Sequence, residues 1–301
     1  MNRIVVYLSL PLLLLTLIFP QAAPAASWRV GLQVGHWRSN ELPEELKNLR
    51  GSTGAYAAGI REVQVNLDIA QRTEGYLRAA GVQVDLIPAT VPPSYRADAF
   101  VSIHADGSGN TSLRGFKAAT HWREWEPGLA LVDALRQEYG RASGLAWDGG
   151  RVTSNMRGYY AFSSGRFRHT ISNETPAAIL ELGYLTNAAD RRLMTSEADR
   201  LARGVAESIL RFLRSQPADG WPAPPPLPEF RAVVTAQIAN LRSGPGTNHA
   251  VVRQVRRGRT LMAEGIQGEW VKLISFRGGV RWVHRDNVRL ERVSEDPPQD
   301  V

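Results

Sequence analysis

The sequence predicts an α/β protein: a three-layer α/β/α domain with a mixed sheet over residues 27–215, followed by a small all-β barrel over 230–293. Three observations predict it. Short apolar runs alternate with stretches of helical spacing from Trp28 to about residue 215. A segment at 216–229 then carries proline at six of its fourteen positions, which makes a semi-extended spacer. Beyond it the chain holds only short β-like runs separated by glycine-bearing turns.

The elements follow in order. Arg3 precedes an almost wholly apolar run that ends at Phe19, is broken by Pro20 and is followed by small residues at Ala22-Ala23 and Ala25-Ala26. This pattern predicts a cleaved signal peptide over 1–26, because the run is shorter than the ~20 residues a membrane span needs. Secretion to a cell wall or periplasm follows, with no stable span after cleavage. Residues 28–35 read as the first strand. Residues 39–59 are polar and glycine-bearing, a loop long enough to be functional, with one helical turn at Pro43-Glu44-Glu45-Leu46-Lys47. Val65, Ile69, Tyr76 and Leu77 share a face of a helix from Glu62 to Ala80, which Gly81 stops.

Further strands are expected at 82–87, 100–105, 115–120 and 176–184, and a helix at 127–141 with Leu131, Leu135 and Tyr139 in step. Residues 187–214 are helical, and Leu201, Val205, Ile209 and Leu213 form an apolar stripe that packs on the sheet. Residues 142–175 give no regular pattern. Aromatic and arginine residues interleave there, which suits a sugar–peptide surface or a loop packed by its own aromatics. A short tail over 294–301 is expected to be disordered.

Four residues carry chemistry at the ends of these elements. His36 follows the first strand, His104 closes the strand Phe100-Val101-Ser102-Ile103, Glu62 opens the first helix, and Glu181 lies inside the apolar run Ile179-Leu180-Glu181-Leu182. Taken singly, a histidine there is a satisfied core residue and a glutamate at a helix start is a cap. Together, two imidazoles and a carboxylate form the ligand set of a hydrolytic zinc site, and a further buried carboxylate is the general base it needs. The chain has no cysteine, so disulfides and thiolate ligands are excluded and Zn²⁺ must be held by His and carboxylate.

The order of these motifs resembles the zinc-dependent N-acetylmuramoyl-L-alanine amidases of the Amidase_3 type. Gly35-His36 resembles the first motif, Glu62 with Asn66-Leu67 the second, Ser102-Ile103-His104-Ala105 the third, and Glu181-Leu182-Gly183-Tyr184-Leu185-Thr186-Asn187 the last. The resemblance implies zinc on His36, Glu62 and His104, Glu181 as the catalytic residue, and cleavage between N-acetylmuramic acid and L-alanine of the stem peptide. Two departures are visible. Gln33-Val34-Gly35-His36-Trp37 stands where the family commonly has Asp-Pro-Gly-His-Gly, and Asp106 stands where Asn is more usual. Trp37 would crowd the site or offer sugar a stacking face; His121, Asn155, Arg157 and His169 are further candidate substrate contacts.

Ala239-Asn240-Leu241-Arg242-Ser243-Gly244-Pro245 and Gly268-Glu269-Trp270-Val271-Lys272-Leu273 resemble bacterial SH3 (SH3b) domains. That family implies wall binding. From 230 to 292 there are twelve Lys and Arg against four Asp and Glu, a balance of +8 that accounts for the whole of the chain's net charge of +7. Peptidoglycan and anionic wall polymers are the expected partners; no nucleic-acid motif is found. Two other readings fit the same residues: a zinc peptidase acting within the stem, and a wall-binding protein without catalysis.

Overall fold

The computed structural model describes residues 28–225, 230–274 and 281–292. The leader at 1–26, the turn at Gly278-Gly279, the end of the proline-rich segment and the tail at 294–301 lie outside the described residues. No helix among the described residues is long and apolar enough to cross a membrane.

The first region is built on a five-stranded sheet. Its strands are β1 (Arg29–Val34), β4 (Gln83–Ile87), β5 (Ala99–Asp106), β6 (Lys117–Ala119) and β7 (Ala177–Tyr184); Tyr56–Ala57 (β2) and Ile60–Arg61 (β3) form a separate small hairpin. The order is β4-β1-β5-β7-β6. The first four strands run parallel and β6 closes the edge antiparallel to β7, so the sheet is mixed. β5 and β7, covered on both faces, are the near-continuous apolar runs expected of buried parallel strands. The chain leaves β1, returns as β4 on one side, then crosses to β5 on the other. That reversal opens a crevice at the carboxyl ends of β1 and β5, the usual ligand position in open α/β sheets.

The two faces are covered differently. Val30, Leu32, Val34, Val101, Ile103, Leu180 and Leu182 pack under the long helices α1 (Glu62–Ala79) and α6 (Ala198–Arg214) and under the helix that follows β6. That last helix is α2 (Glu126–Ala134) continued through a π-helical stretch, Leu135–Tyr139, into α3 (Gly140–Ser143). Gly144, at φ 69°, stops it in the left-handed conformation. The stripe Leu201, Val205, Ile209 and Leu213 is fully buried, and α6 packs chiefly on α1 and the π-bulged helix. Among the described residues the other face has no long helix. Short helical turns at Ser39–Glu41 and Glu44–Leu49, α4 (Ser154–Arg157) and a turn at Tyr160–Phe162 cover Ile87, Phe100, Ile179 and their neighbours. Asn187 caps α5 (Ala188–Ser196) by accepting from the Ala189 and Asp190 amides.

The proline-rich segment does not stand clear of this region in its described part. Trp221 stacks on Phe212 at 5.9 Å, and the Trp125 indole donates to the Pro222 carbonyl at 2.9 Å. Proline makes the segment stiff, and these two tryptophans tie it down.

The second region is an antiparallel sheet of seven strands: β8 (Phe230–Val234), β9 (Ile238–Arg242), β10 (Val251–Arg256), β11 (Thr260–Gln267), β12 (Trp270–Leu273), β13 (Arg281–His284) and β14 (Val288–Arg292), in the order β10-β9-β13-β12-β11-β8-β14. Every strand contributes to one core of Ala232, Val234, Ala239, Leu241, Val255, Ala263, Val271, Leu273, Val283 and Val288, so the sheet curls around its own interior.

Helix packing generates one prediction. A Cβ on Gly204 of α6 would overlap that of Ala142 in α3, whereas one on Gly75 of α1 would meet nothing. Gly204→Ala should cost about 1–3 kcal/mol in denaturant unfolding. Gly75→Ala should stabilise by about 0.5–1 kcal/mol. Equal midpoints for the two variants would contradict the close approach of α6 and α3.

Candidate metal centre

Three polar side chains meet at the crevice. His36 lies two residues beyond β1, held at φ 66°, a conformation uncommon outside glycine. Its Nδ1 stands 3.1 Å from the Ser52 carbonyl. A carbonyl only accepts, so Nδ1 carries a proton; Nε2 faces Glu62 Oε1 at 3.2 Å, donating to it when the ring is charged and left to ligate a cation when the ring is neutral. His104, near the end of β5, brings Nδ1 to within 3.0 Å of the same oxygen. Glu62 is the first residue of α1, where the helix dipole favours a negative charge. Its Oε1 also accepts from Asn66 Nδ2 at 3.3 Å and the Ala105 amide at 3.2 Å, and its Oε2 from the Ala55 amide at 2.7 Å.

Burial opposes the charge on Glu62, but the hydrogen bonds from His104 and His36 outweigh it and hold the carboxyl well below the usual range. Burial likewise works against the His36 cation, and Glu62 more than offsets it, so the imidazole is raised. Two glycines make this convergence sterically feasible. A Cβ on Gly35 would overlap the His104 ring, and one on Gly54, at φ 74°, would overlap the Glu62 carboxylate.

The set fits a metal ion. The three ligand atoms lie within 4.8 Å of one another. Tetrahedral zinc with bonds of about 2.0–2.2 Å sets its donors roughly 3.3–3.5 Å apart, and the spacings of 3.0 and 3.2 Å approach that. Two imidazole nitrogens and a carboxylate oxygen facing one point form an electron-rich centre, which only a cation, proton or metal, can satisfy.

Glu181 sits beside it. β7 pairs with β5 so that Glu181 faces His104 in register. Its Oε2 is buried with no hydrogen-bond partner among the described residues. Burial first, then the charges of Glu62 and Asp106, push this carboxyl well above its ordinary range; Lys117 pulls the other way. Lys117 lies across from Glu181 on β6 and is buried. Its ammonium bonds Asp106 and, at 3.0 Å, the Tyr184 hydroxyl. The unusual Asp106 is therefore neutralised from the neighbouring edge strand.

The other candidate residues are placed less centrally. Trp37 packs at the edge of the core with the Arg38 guanidinium 4.8 Å above its ring. His121 lies against Trp122 and Phe162, and burial, with the charges of Arg123 and Arg157, drives its imidazole down to about 3. Arg157 pairs with Glu124, and His169 with Glu45 at 2.8 Å. Asn155 is exposed on α4. Among the described residues, none of these five side chains is hydrogen-bonded or ion-paired to the His36–Glu62–His104 group. Asn66, Gly54 and Tyr159, whose hydroxyl lies 3.4 Å from His104 Nε2, do reach it. Asn66 is legible as the residue one turn after Glu62 on the same helix face. Spacing gives no sign of Tyr159, which is 55 residues from His104.

A family model described as N-acetylmuramoyl-L-alanine amidase matches residues 30–211, and one described as bacterial SH3 domain matches 238–289. The chain belongs to the N-acetylmuramoyl-L-alanine amidase family. Among solved structures, this amidase is similar to the catalytic domain of CwlV from Bacillus (Paenibacillus) polymyxa var. colistinus, at 23% identity and a TM-score of 0.45 over 63% of this chain and 99% of that one. AmiC2 of Nostoc punctiforme matches at 24% identity and a TM-score of 0.46, over 62% and 97%. Ami1 from Mycobacterium smegmatis matches at 21% and 0.46, over 63% and 98%. A search of curated proteins returns no match.

The environment of Glu181 in the amidase makes a prediction about stability. Its carboxyl binds a proton more tightly folded than unfolded, because burial and neighbouring carboxylates penalise the charge. The stability this supplies is fully present below the unfolded value of about 4.3 and is lost as pH climbs from there through the raised folded value. Glu181→Gln should therefore melt higher than the parent metal-free protein at pH 8, by roughly 2–4 °C for each kcal/mol relieved, and converge with it near pH 4. Matching melting curves at both pH values would refute this.

Proposed function

We propose that the protein is a secreted, zinc-dependent peptidoglycan hydrolase that cleaves the amide between N-acetylmuramic acid and L-alanine of the stem peptide. The observation that carries the reading is the meeting of His36, Glu62 and His104 beside a buried, unpartnered carboxylate oxygen of Glu181.

An amide resists water because its carbonyl is a weak electrophile and its nitrogen a poor leaving group. His36 Nε2, Glu62 and His104 Nδ1 would hold the zinc, which when bound supplies Lewis acidity toward the carbonyl and the attacking water. Glu181 takes the proton from the water and returns it to the leaving nitrogen of alanine, so one carboxyl acts as base and then as acid. Its low dielectric surroundings suit both roles, since they keep the proton affinity well above that of an exposed glutamate.

The second region would hold the enzyme on its insoluble substrate. Arg253, Arg256, Arg257 and Arg259 are exposed on and just after β10, and none forms an ion pair among the described residues. The nearby acids are engaged elsewhere: Glu264 with Lys272, Glu269 with Arg285, Glu291 with Arg231 and Arg289. Unpaired arginines along the edge strand β10 and the turn after it favour an anionic wall polymer.

Purified peptidoglycan digested with the zinc-loaded protein should release stem peptides beginning at L-alanine and leave peptide-free glycan, as read by mass spectrometry. Glu181→Ala should lower the rate by at least about 100-fold. Shortened stems still attached to glycan would instead identify a peptidase, and no product from a protein free of zinc would leave a wall-binding role. In sedimentation with cell walls, charge reversal at Arg256 and Arg257 should weaken binding and flatten its salt dependence; unchanged binding would exclude the arginine surface.

A further inference from the structure

We propose that Tyr159 and Gln33 are positioning residues that fix the tautomer of His104 and aim its Nδ1 at the cation. The proposal rests on the metal reading above and extends it to residues outside the ligand set.

The argument starts from a group that can only accept. The carbonyl of Ala89 lies 3.3 Å from Gln33 Nε2 and is also bonded by the Tyr160 hydroxyl. Gln33 Nε2 further meets the Tyr160 oxygen at 2.7 Å. The amide nitrogen of Gln33 must therefore point to Ala89 and Tyr160, and its Oε1 must point the other way. There Oε1 meets the Tyr159 hydroxyl at 2.9 Å. An amide oxygen cannot donate, so the single proton of Tyr159 goes to Gln33. The Tyr159 oxygen is left with lone pairs, and it lies 3.4 Å from His104 Nε2. Nε2 must be the donor in that contact, so it carries the ring proton. Nδ1 is the nitrogen that faces Glu62, and with Nε2 keeping its own proton it is Nδ1 that gives up its proton when a cation is bound. One direction of donation thus runs from His104 through Tyr159 to Gln33 and ends on a backbone carbonyl.

The parts are held in place. Gln33 is fully buried on β1, and its register partner on β5 is Ser102, two residues before His104. Tyr159 packs its ring edge-on against His104 at 5.6 Å and against Phe162 at 5.6 Å. Its backbone is anchored by its amide to Met156 and by the Ser163 hydroxyl to its carbonyl. Outer partners of this kind typically change metal affinity by about 10–100-fold when removed.

The test measures zinc affinity of the purified protein by competition with a chromophoric chelator, and the protonation of His104 Nε2 by nitrogen-15 NMR. The wild type should show His104 protonated at Nε2. Tyr159→Phe, which keeps the ring and loses the hydroxyl, should weaken zinc binding at least about tenfold and lower the protonation of Nε2. Phe162→Leu, which disturbs the same aromatic cluster without touching the relay, should bind zinc like the wild type. An unprotonated His104 Nε2 in the wild type overturns the proposal without any variant, as does Tyr159→Phe with unchanged affinity and Nε2 protonation. If the wild type binds no zinc, the metal reading fails, and the Nε2 measurement still decides whether the relay exists.

Discussion

The carboxylate of Glu62 is the point on which the first region depends. It is buried, yet it must be charged to hold two imidazoles, and a buried charge persists only when its lone pairs are filled. They are filled from four directions: His36 after β1, His104 and the Ala105 amide on β5, Asn66 one turn along α1, and the Ala55 amide from the loop before it. Strand, strand, helix and loop are thereby fixed to one another at the open end of the sheet. The same arrangement explains the glycines. Gly35 and Gly54 stand where backbone must pass against the His104 ring and the Glu62 carboxylate, leaving no room for a side chain.

The fold's regular parts are legible because their signals are local. Val30, Leu32 and Val34 alternate on one face of β1, and the spacing of Val65, Ile69 and Leu77 marks α1, so both elements follow from nearest neighbours. The two loops are not legible in this way. Residues 39–59 contribute the Ser52 carbonyl that orients His36, and residues 142–175 contribute Tyr159 against His104; each is a contact between positions far apart in the chain. The same is true of His169. Its neighbours in sequence suggest a substrate contact, but Glu45 accepts from its backbone amide at 2.9 Å and holds its Nδ1 at 2.8 Å, so it ties one loop to the other.

The difference between the two sheet faces follows from the same separation of roles. One face is buried under α1, α6 and the π-bulged helix, and its side chains are wholly apolar. Residues of opposite parity on the strands point to the other face: Gln33 on β1, Ser102 and His104 on β5, Glu181 on β7. A long helix packed there would fill the space above them. Short turns and an aromatic loop cover only part of it, so the sheet keeps its polar side chains within reach of a ligand.

Charge count gives the remaining constraint on that cleft. Glu62, Asp106 and Glu181 bring three carboxyls close together, and Lys117 is the cation that pairs among them, bonded to Asp106. With all three ionised, the group is two charges short of neutral, which is the charge of a zinc ion. Without such an ion, Glu181 is the member that gives way, since its oxygen has no partner while Glu62 has five and Asp106 has the lysine. The buried lysine opposite Glu181 and the unusual Asp106 thus cancel each other. The deficit that a divalent cation can fill is centred on the imidazoles, where the lone pairs already point.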